Sequence, residues 1–178
     1  MNHVHARSAA LIAVGLLTAT ATSAMATDAS GTACRTDALT MAWAPGGSAQ
    51  PDGKGTAGKQ VDAPVTMKNT ASALCTLHGY PEVVLKMGTE TRGVVTETFR
   101  YRTEQKPAAV TLAPGDAARF TLTFISASDR DENTIDPGVA EITPPGNTTA
   151  VQLRWTWGAV AGQEAATHSG NVVSPVQR

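Results

Sequence analysis

The chain has 178 residues, of which 42% are hydrophobic, 16% charged and 4% aromatic, with 16 glycines, 10 prolines and a formal net charge of −1. That length suits one domain, and the charged share is below the usual roughly 25%. So many turn-forming residues argue against a helical bundle or coiled coil, and so even a charge balance argues against a general attraction to nucleic acid or anionic membrane.

The N-terminus carries Arg7 and no acidic residue, then an apolar run over 9–17, then Ala24-Met25-Ala26. A basic start, a short apolar middle and a small-x-small exit form the pattern of a secretory signal, with cleavage expected after Ala26. The rival reading is a membrane anchor, but the run is short for a span of about 20 residues. Lipidation would need a cysteine just behind the apolar run, and Cys34 stands beyond a polar stretch. No second apolar run follows, so no transmembrane segment is expected in residues 27–178, which are read as a single domain. Without the leader the charge becomes −2, from 13 Lys plus Arg against 15 Asp plus Glu.

Only Cys34 and Cys75 are present, an even count that in an exported chain implies one disulfide. Residues 27–37 are polar and read as loose before Cys34. Leu39, Met41 and Trp43 then alternate with small or polar residues, the period-two mark of a half-buried strand. Residues 44–60 hold five glycines and two prolines and read as a flexible loop. Alternation returns at Val61, Ala63, Val65 and Met67, and Asn69-Thr70 opens a turn. Leu74 and Leu77 surround Cys75, Gly79-Tyr80-Pro81 punctuates, and Val83, Leu85 and Met87 alternate again. Val95, Phe99 and Tyr101 share a register with Glu97, and a charge in that register suggests an edge strand.

The second half continues the pattern. Val110 and Leu112 run into Pro114-Gly115-Asp116, and Phe120, Leu122 and Phe124 form the clearest inward face. Residues 126–137 read as an acidic loop, 139–143 as a strand stopped by Pro144-Pro145-Gly146. Val151, Leu153, Trp155 and Trp157 share a face, and Val172-Val173 closes the series. Seven to nine short strands separated by turn residues predict an all-β, immunoglobulin-like sandwich.

Asn69-Thr70 followed by Cys75-Thr76-Leu77-x-Gly79-Tyr80-Pro81-x-Val83-x-Leu85 resembles a family of secreted actinobacterial proteins, the domain of unknown function 4232. Leu112-x-Pro114-Gly115-x-x-Ala118, Thr143-Pro144-Pro145-Gly146 and Val173-Ser174-Pro175-Val176 fit the same pattern, so the resemblance spans about residues 34–176. It implies an exported immunoglobulin-like sandwich, sometimes lipid-anchored, and no particular activity. Many members resemble one another in a second cysteine pair. Residues 134–136 and 167–169 stand in those places here, which leaves the C-terminal strand without a covalent tie.

The chemistries open to such a chain are few. A Ser or Cys nucleophile needs a base, and beyond the leader only His78 and His168 are present, without a Gly-x-Ser-x-Gly elbow. Glu82, Glu97, Glu104 and Glu141 are scattered carboxylates that would have to converge to serve hydrolysis. Met41, Met67 and Met87 suit copper chemically, but each falls on an inward strand face. Asp129-Arg130-Asp131-Glu132-Asn133-Thr134-Ile135-Asp136 alternates oxygen side chains as a calcium loop does, yet lacks a glycine at Thr134 and a glutamate at Ala140. Trp155 and Trp157 would make a sugar platform if exposed, and core if the face of Val151 and Leu153 is buried; the core reading is preferred. Arg100-Tyr101-Arg102 with Lys106 is the densest basic patch, a small anion site or a solvated strand face. Asn147-Thr148-Thr149 is a glycosylation sequon.

The expectation is therefore a secreted, non-enzymatic binding or envelope-associated module. It has no catalytic residues, no cofactor and no metal, and its partner, extracellular or in the cell envelope, is not a nucleic acid. The alternatives are a small carboxylate-dependent extracellular hydrolase and a calcium-stabilised structural domain.

Overall fold

The computed structural model describes residues 31–46, 57–87, 96–128, 133–163 and 166–178. The leader with its cleavage point after Ala26, most of the Gly/Pro-rich loop, Val95 and residues 129–132 of the acidic loop lie outside them.

Two sheets form an all-β sandwich. In the first, β1 (Leu39–Trp43) is followed across the sheet by β2 (Gln60–Asn69), β8 (Ala117–Ile125), β13 (Val172–Val173) and β6 (Arg100–Tyr101). In the second the order is β11 (Val151–Arg154), β10 (Pro137–Thr143), β4 (Glu82–Met87) and β5 (Thr96–Thr98). Two short ribbons complete it, β3 (Cys75–Leu77) with β7 (Val110–Leu112) and β12 (Val160–Ala161) with β9 (Thr134–Ile135). Nine of these segments have three or more residues and four have two, so the expected seven to nine strands are present with four short pieces besides.

The core follows the period-two pattern. Val61, Ala63, Val65 and Met67 of β2 stand opposite Phe124, Leu122, Phe120 and Ala118 of β8, and all are buried. Ala63 faces Leu122 and Met67 faces Ala118, so each small side chain leaves room for a large neighbour. In the other sheet Val83 pairs with Ile142 and Leu85 with Ala140, again fully buried. Val151 and Leu153 are only half-buried, because β11 is the outermost strand of its sheet. Pro64 is tolerated in an interior strand because its carbonyl takes the Ala44 N–H at 2.8 Å where β1 has already ended, so little of the ladder is lost.

Glu97 does lie on an edge strand, but not as a solvated charge. It is 1% exposed, and its carboxylate accepts from Asn171 Nδ2 at 2.8 Å and from the Gln163 N–H at 3.0 Å. The reason is a change of sheet. Phe99 N–H bonds Val83 O, in the second sheet, and Arg100 N–H bonds Asn171 O, beside the first, so the chain crosses the interior between them. Asn171, itself fully buried, also donates to Ala161 O at 2.9 Å and accepts from Ile125 N–H at 3.0 Å. Asn171→Ala would strand the carboxylate and two backbone groups, and a loss of about 2–3 kcal/mol is expected in urea unfolding. A loss below about 0.5 kcal/mol would mean that water replaces the amide.

Residues 31–33, expected to be loose before Cys34, are tied down together with the segment that follows. Ala33 bridges Thr76, Cys34 N–H donates to Thr76 O, and Thr36 is buried with its hydroxyl on Thr149 O at 2.8 Å. Cys34 and Cys75 are joined, with 4.8 Å between their Cα atoms; the tie holds the segment ahead of β1 rather than the first strand itself. Thr134 and Ile135 belong to a strand that pairs with Ala161 and Val160, and Ile135 is buried.

Candidate functional site

The Gly-Tyr-Pro turn organises one corner of the molecule. Gly79 has φ of 123°, in the left-handed region, and its carbonyl accepts the Val176 N–H at 3.0 Å. A Cβ on Gly79 would stand 3.5 Å from Pro145 of the Pro-Pro-Gly turn. The Tyr80 ring stacks on Tyr101 with centroids 4.9 Å apart, and its hydroxyl is directed at the carbonyls of Gln105 and Arg102. Tyr80 thus clamps the turn that follows β6 and sets where Arg102 emerges.

Arg102 emerges over the outer face of the five-stranded sheet. Its Nη2 donates to Thr123 Oγ1 at 2.6 Å, and that hydroxyl donates to Asp62 Oδ1 at 2.6 Å. Asp62 and Thr123 are cross-strand partners, so the relay is set by register. The exposed Glu104 lies 3.6 Å from Arg102 Nε. From this point a groove runs along β8, lined by Asp62, Arg102, Gln105, Arg119, Thr121 and Arg178 among others. Its far end is built by reciprocal backbone bonds of 2.8 Å between Arg119 and Gln177, which lay the last residues beside β8. Arg178 donates to Asp116 at 2.8 Å, whereas the exposed Arg119 guanidinium has no hydrogen-bond or ion-pair partner among the described residues. Chemically the groove offers guanidinium donors, Arg102 held by Thr123 and Arg119 without a partner among the described residues, next to the Asp62 carboxylate.

The family model described as Domain of unknown function (DUF4232) matches residues 34–177. The chain belongs to this family. Comparison with curated proteins finds no match.

In this member of the domain of unknown function 4232 family, the motif residues are architectural. Besides the Gly-Tyr-Pro corner, Asn69 of the Asn-Thr turn donates to Ala73 O and Leu112 O, and its carbonyl accepts the Gly115 N–H of the Pro-Gly turn. Asn147 of the sequon donates to Cys34 O at 2.8 Å and accepts the Thr36 N–H at 3.0 Å, so its amide is committed to the fold.

The remaining sequence candidates do not assemble. His78 and His168 are both exposed, one after β3 and the other between β12 and β13. Glu82 is exposed at the start of β4, Glu97 is interior, Glu104 stands beside Arg102, and Glu141 lies half-exposed on the second sheet. Met41 and Met67 are buried cross-strand partners. Among the described residues no group of three His, Cys, Asp or Glu could hold a metal ion. Trp155 and Trp157 are buried, each with its ring 5.7 Å from Trp43 in edge-on contact, so they are core and not a platform. The basic trio divides: Arg102 enters the groove, while Arg100 and Tyr101 line a separate shallow depression with Glu82. Arg119, Gln177 and Arg178 were not singled out from sequence, and no local pattern marks them, since β-pairing alone brings residues 119 and 177 together.

Glu141 accepts from Lys86 and, at 2.8 Å, from Gln152, and these bonds hold its carboxyl below the usual carboxylate range. A lowered carboxyl pKa stabilises the fold fully above the unfolded value of about 4.3 and loses that stabilisation as pH falls through the lowered one. The pair is largely solvated, so the contribution is a few tenths of a kcal/mol. The stability gap between the native protein and Glu141→Gln, measured by urea unfolding, should shrink from pH 7 toward pH 3.

Proposed function

We propose that the protein is exported, with the leader removed after Ala26, and serves as a non-enzymatic binding module in the medium or at the cell envelope. The observation that carries the binding role is the groove, in which the exposed Arg119 has no side-chain partner among the described residues while Arg102 is held in place by Thr123 and Asp62. Export is supported by the signal-like leader, by the joined cysteines and by the resemblance to secreted actinobacterial relatives. No helix of the described residues is long and apolar enough to cross a membrane. Against a hydrolase stands the engagement of the carboxylates: Glu97 is consumed inside the fold and Glu141 is paired with Lys86.

Expression of the full chain in a secreting bacterial host tests this reading. Intact mass of the protein in the medium should correspond to a chain beginning at Thr27 and lacking two hydrogens relative to the reduced form. Retention in the cell at full length, or two titratable thiols per chain, would overturn the export claim. Pull-down from envelope extracts and culture medium should recover a partner. Turnover of a glycan or ester by the purified protein would favour the hydrolase instead.

A further inference from the structure

We propose that the groove along β8 receives an extended acidic peptide segment, with two carboxylates four residues apart seated on Arg102 and Arg119; this rests on the binding-module reading. Three observations converge on it. Arg102 spends one N–H on Thr123 and turns Nε toward Glu104, which leaves three of its five donors for a ligand. Arg119 is exposed and engages none of its five donors among the described residues, in a planar fork that matches a carboxylate. Thr123, where the Arg102 head group is held, lies four residues along the strand from Arg119, about 13 Å at the usual rise. An extended peptide repeats at nearly the same rise, so acids at its first and fifth positions span the same length.

The groove wall is mixed in charge, because Asp62 lines it beside Arg102 and its carboxylate accepts from Thr123. The existing contact between Arg178 and Asp116 shows the same guanidinium–carboxylate chemistry within the chain, at the rim of the same groove. The attraction is local, because the chain without its leader carries a net −2, with 13 basic against 15 acidic residues. That favours a ligand matched in spacing over polyanions in general.

The test uses labelled nine-residue peptides of serine and glycine carrying glutamates at the third and seventh positions, read by fluorescence anisotropy against the purified protein. Binding is expected below about 1 mM. It should weaken about tenfold in Arg119→Ala and recover in part in Arg119→Lys. Arg154→Ala, an exposed arginine on the other sheet, should change affinity less than about twofold. A peptide with adjacent glutamates should bind more weakly. Equal losses in Arg119→Ala and Arg154→Ala, tighter binding of inorganic polyphosphate, or no binding at about 1 mM would each overturn the proposal. If the groove fails while pull-down still recovers a partner, the binding-module reading stands and the ligand docks elsewhere.

Discussion

Cys75→Ala should lower the unfolding free energy by about 4 kcal/mol, the chain-entropy value for a bond closing a loop of about this length. The two cysteines are 41 residues apart in sequence and are 1% and 7% exposed, so the bond is interior. Around it Thr76 exchanges backbone bonds with the segment ahead of β1, donating to Thr32 O and accepting from Cys34 N–H. Asn147 adds a side-chain bond to Cys34 O. These bonds hold the segment only while its end stays close, and the disulfide keeps it close even in the unfolded chain. Urea unfolding of the oxidised protein, the reduced protein and Cys75→Ala should show the last two unfolding at similar, much lower midpoints. A shift below about 1 kcal/mol would mean that the noncovalent ties suffice.

Phe124→Ala is expected to cost about 3–5 kcal/mol. Phe124 is fully buried opposite Val61, and its ring meets Trp155 edge-on at 5.1 Å. Trp155 in turn touches Trp43, which touches Trp157, so the cavity would open at the head of an aromatic cluster with few ways to collapse. The indole of Trp155 is further fixed by its Nε1 donating to Gly158 O at 2.7 Å. Leu153→Ala, on the half-buried edge strand β11, should cost less, about 1–2 kcal/mol. Chemical denaturation of both variants checks the ranking, and equal losses would contradict the burial difference.

Much of this architecture is legible in the order of residues alone. Alternation at 61–67, 83–87 and 120–124 determined which side chains face inward, because a strand's two faces are set by its own backbone. The aliphatic and aromatic face from Val151 to Trp157 identified the tryptophans as core before any packing was known. A lone pair of cysteines left only one disulfide to form. The turn residues marked where strands stop, because proline and glycine act on their own backbone.

What sequence could not determine is whatever depends on which distant strands become neighbours. Glu97 reads as a charge on an edge, and only the crossing from β5 to β6 shows that it is enclosed by Asn171 and Gln163. The strand across from Thr134 and Ile135 is Val160–Ala161, a pairing that no local pattern marks. Arg100 and Arg102, adjacent to one residue, face different depressions, while Arg119, Gln177 and Arg178 come together across the sheet. Local pattern decides a side chain's face; the register between strands far apart in the chain is decided by packing the whole sandwich, and the groove exists only at that level.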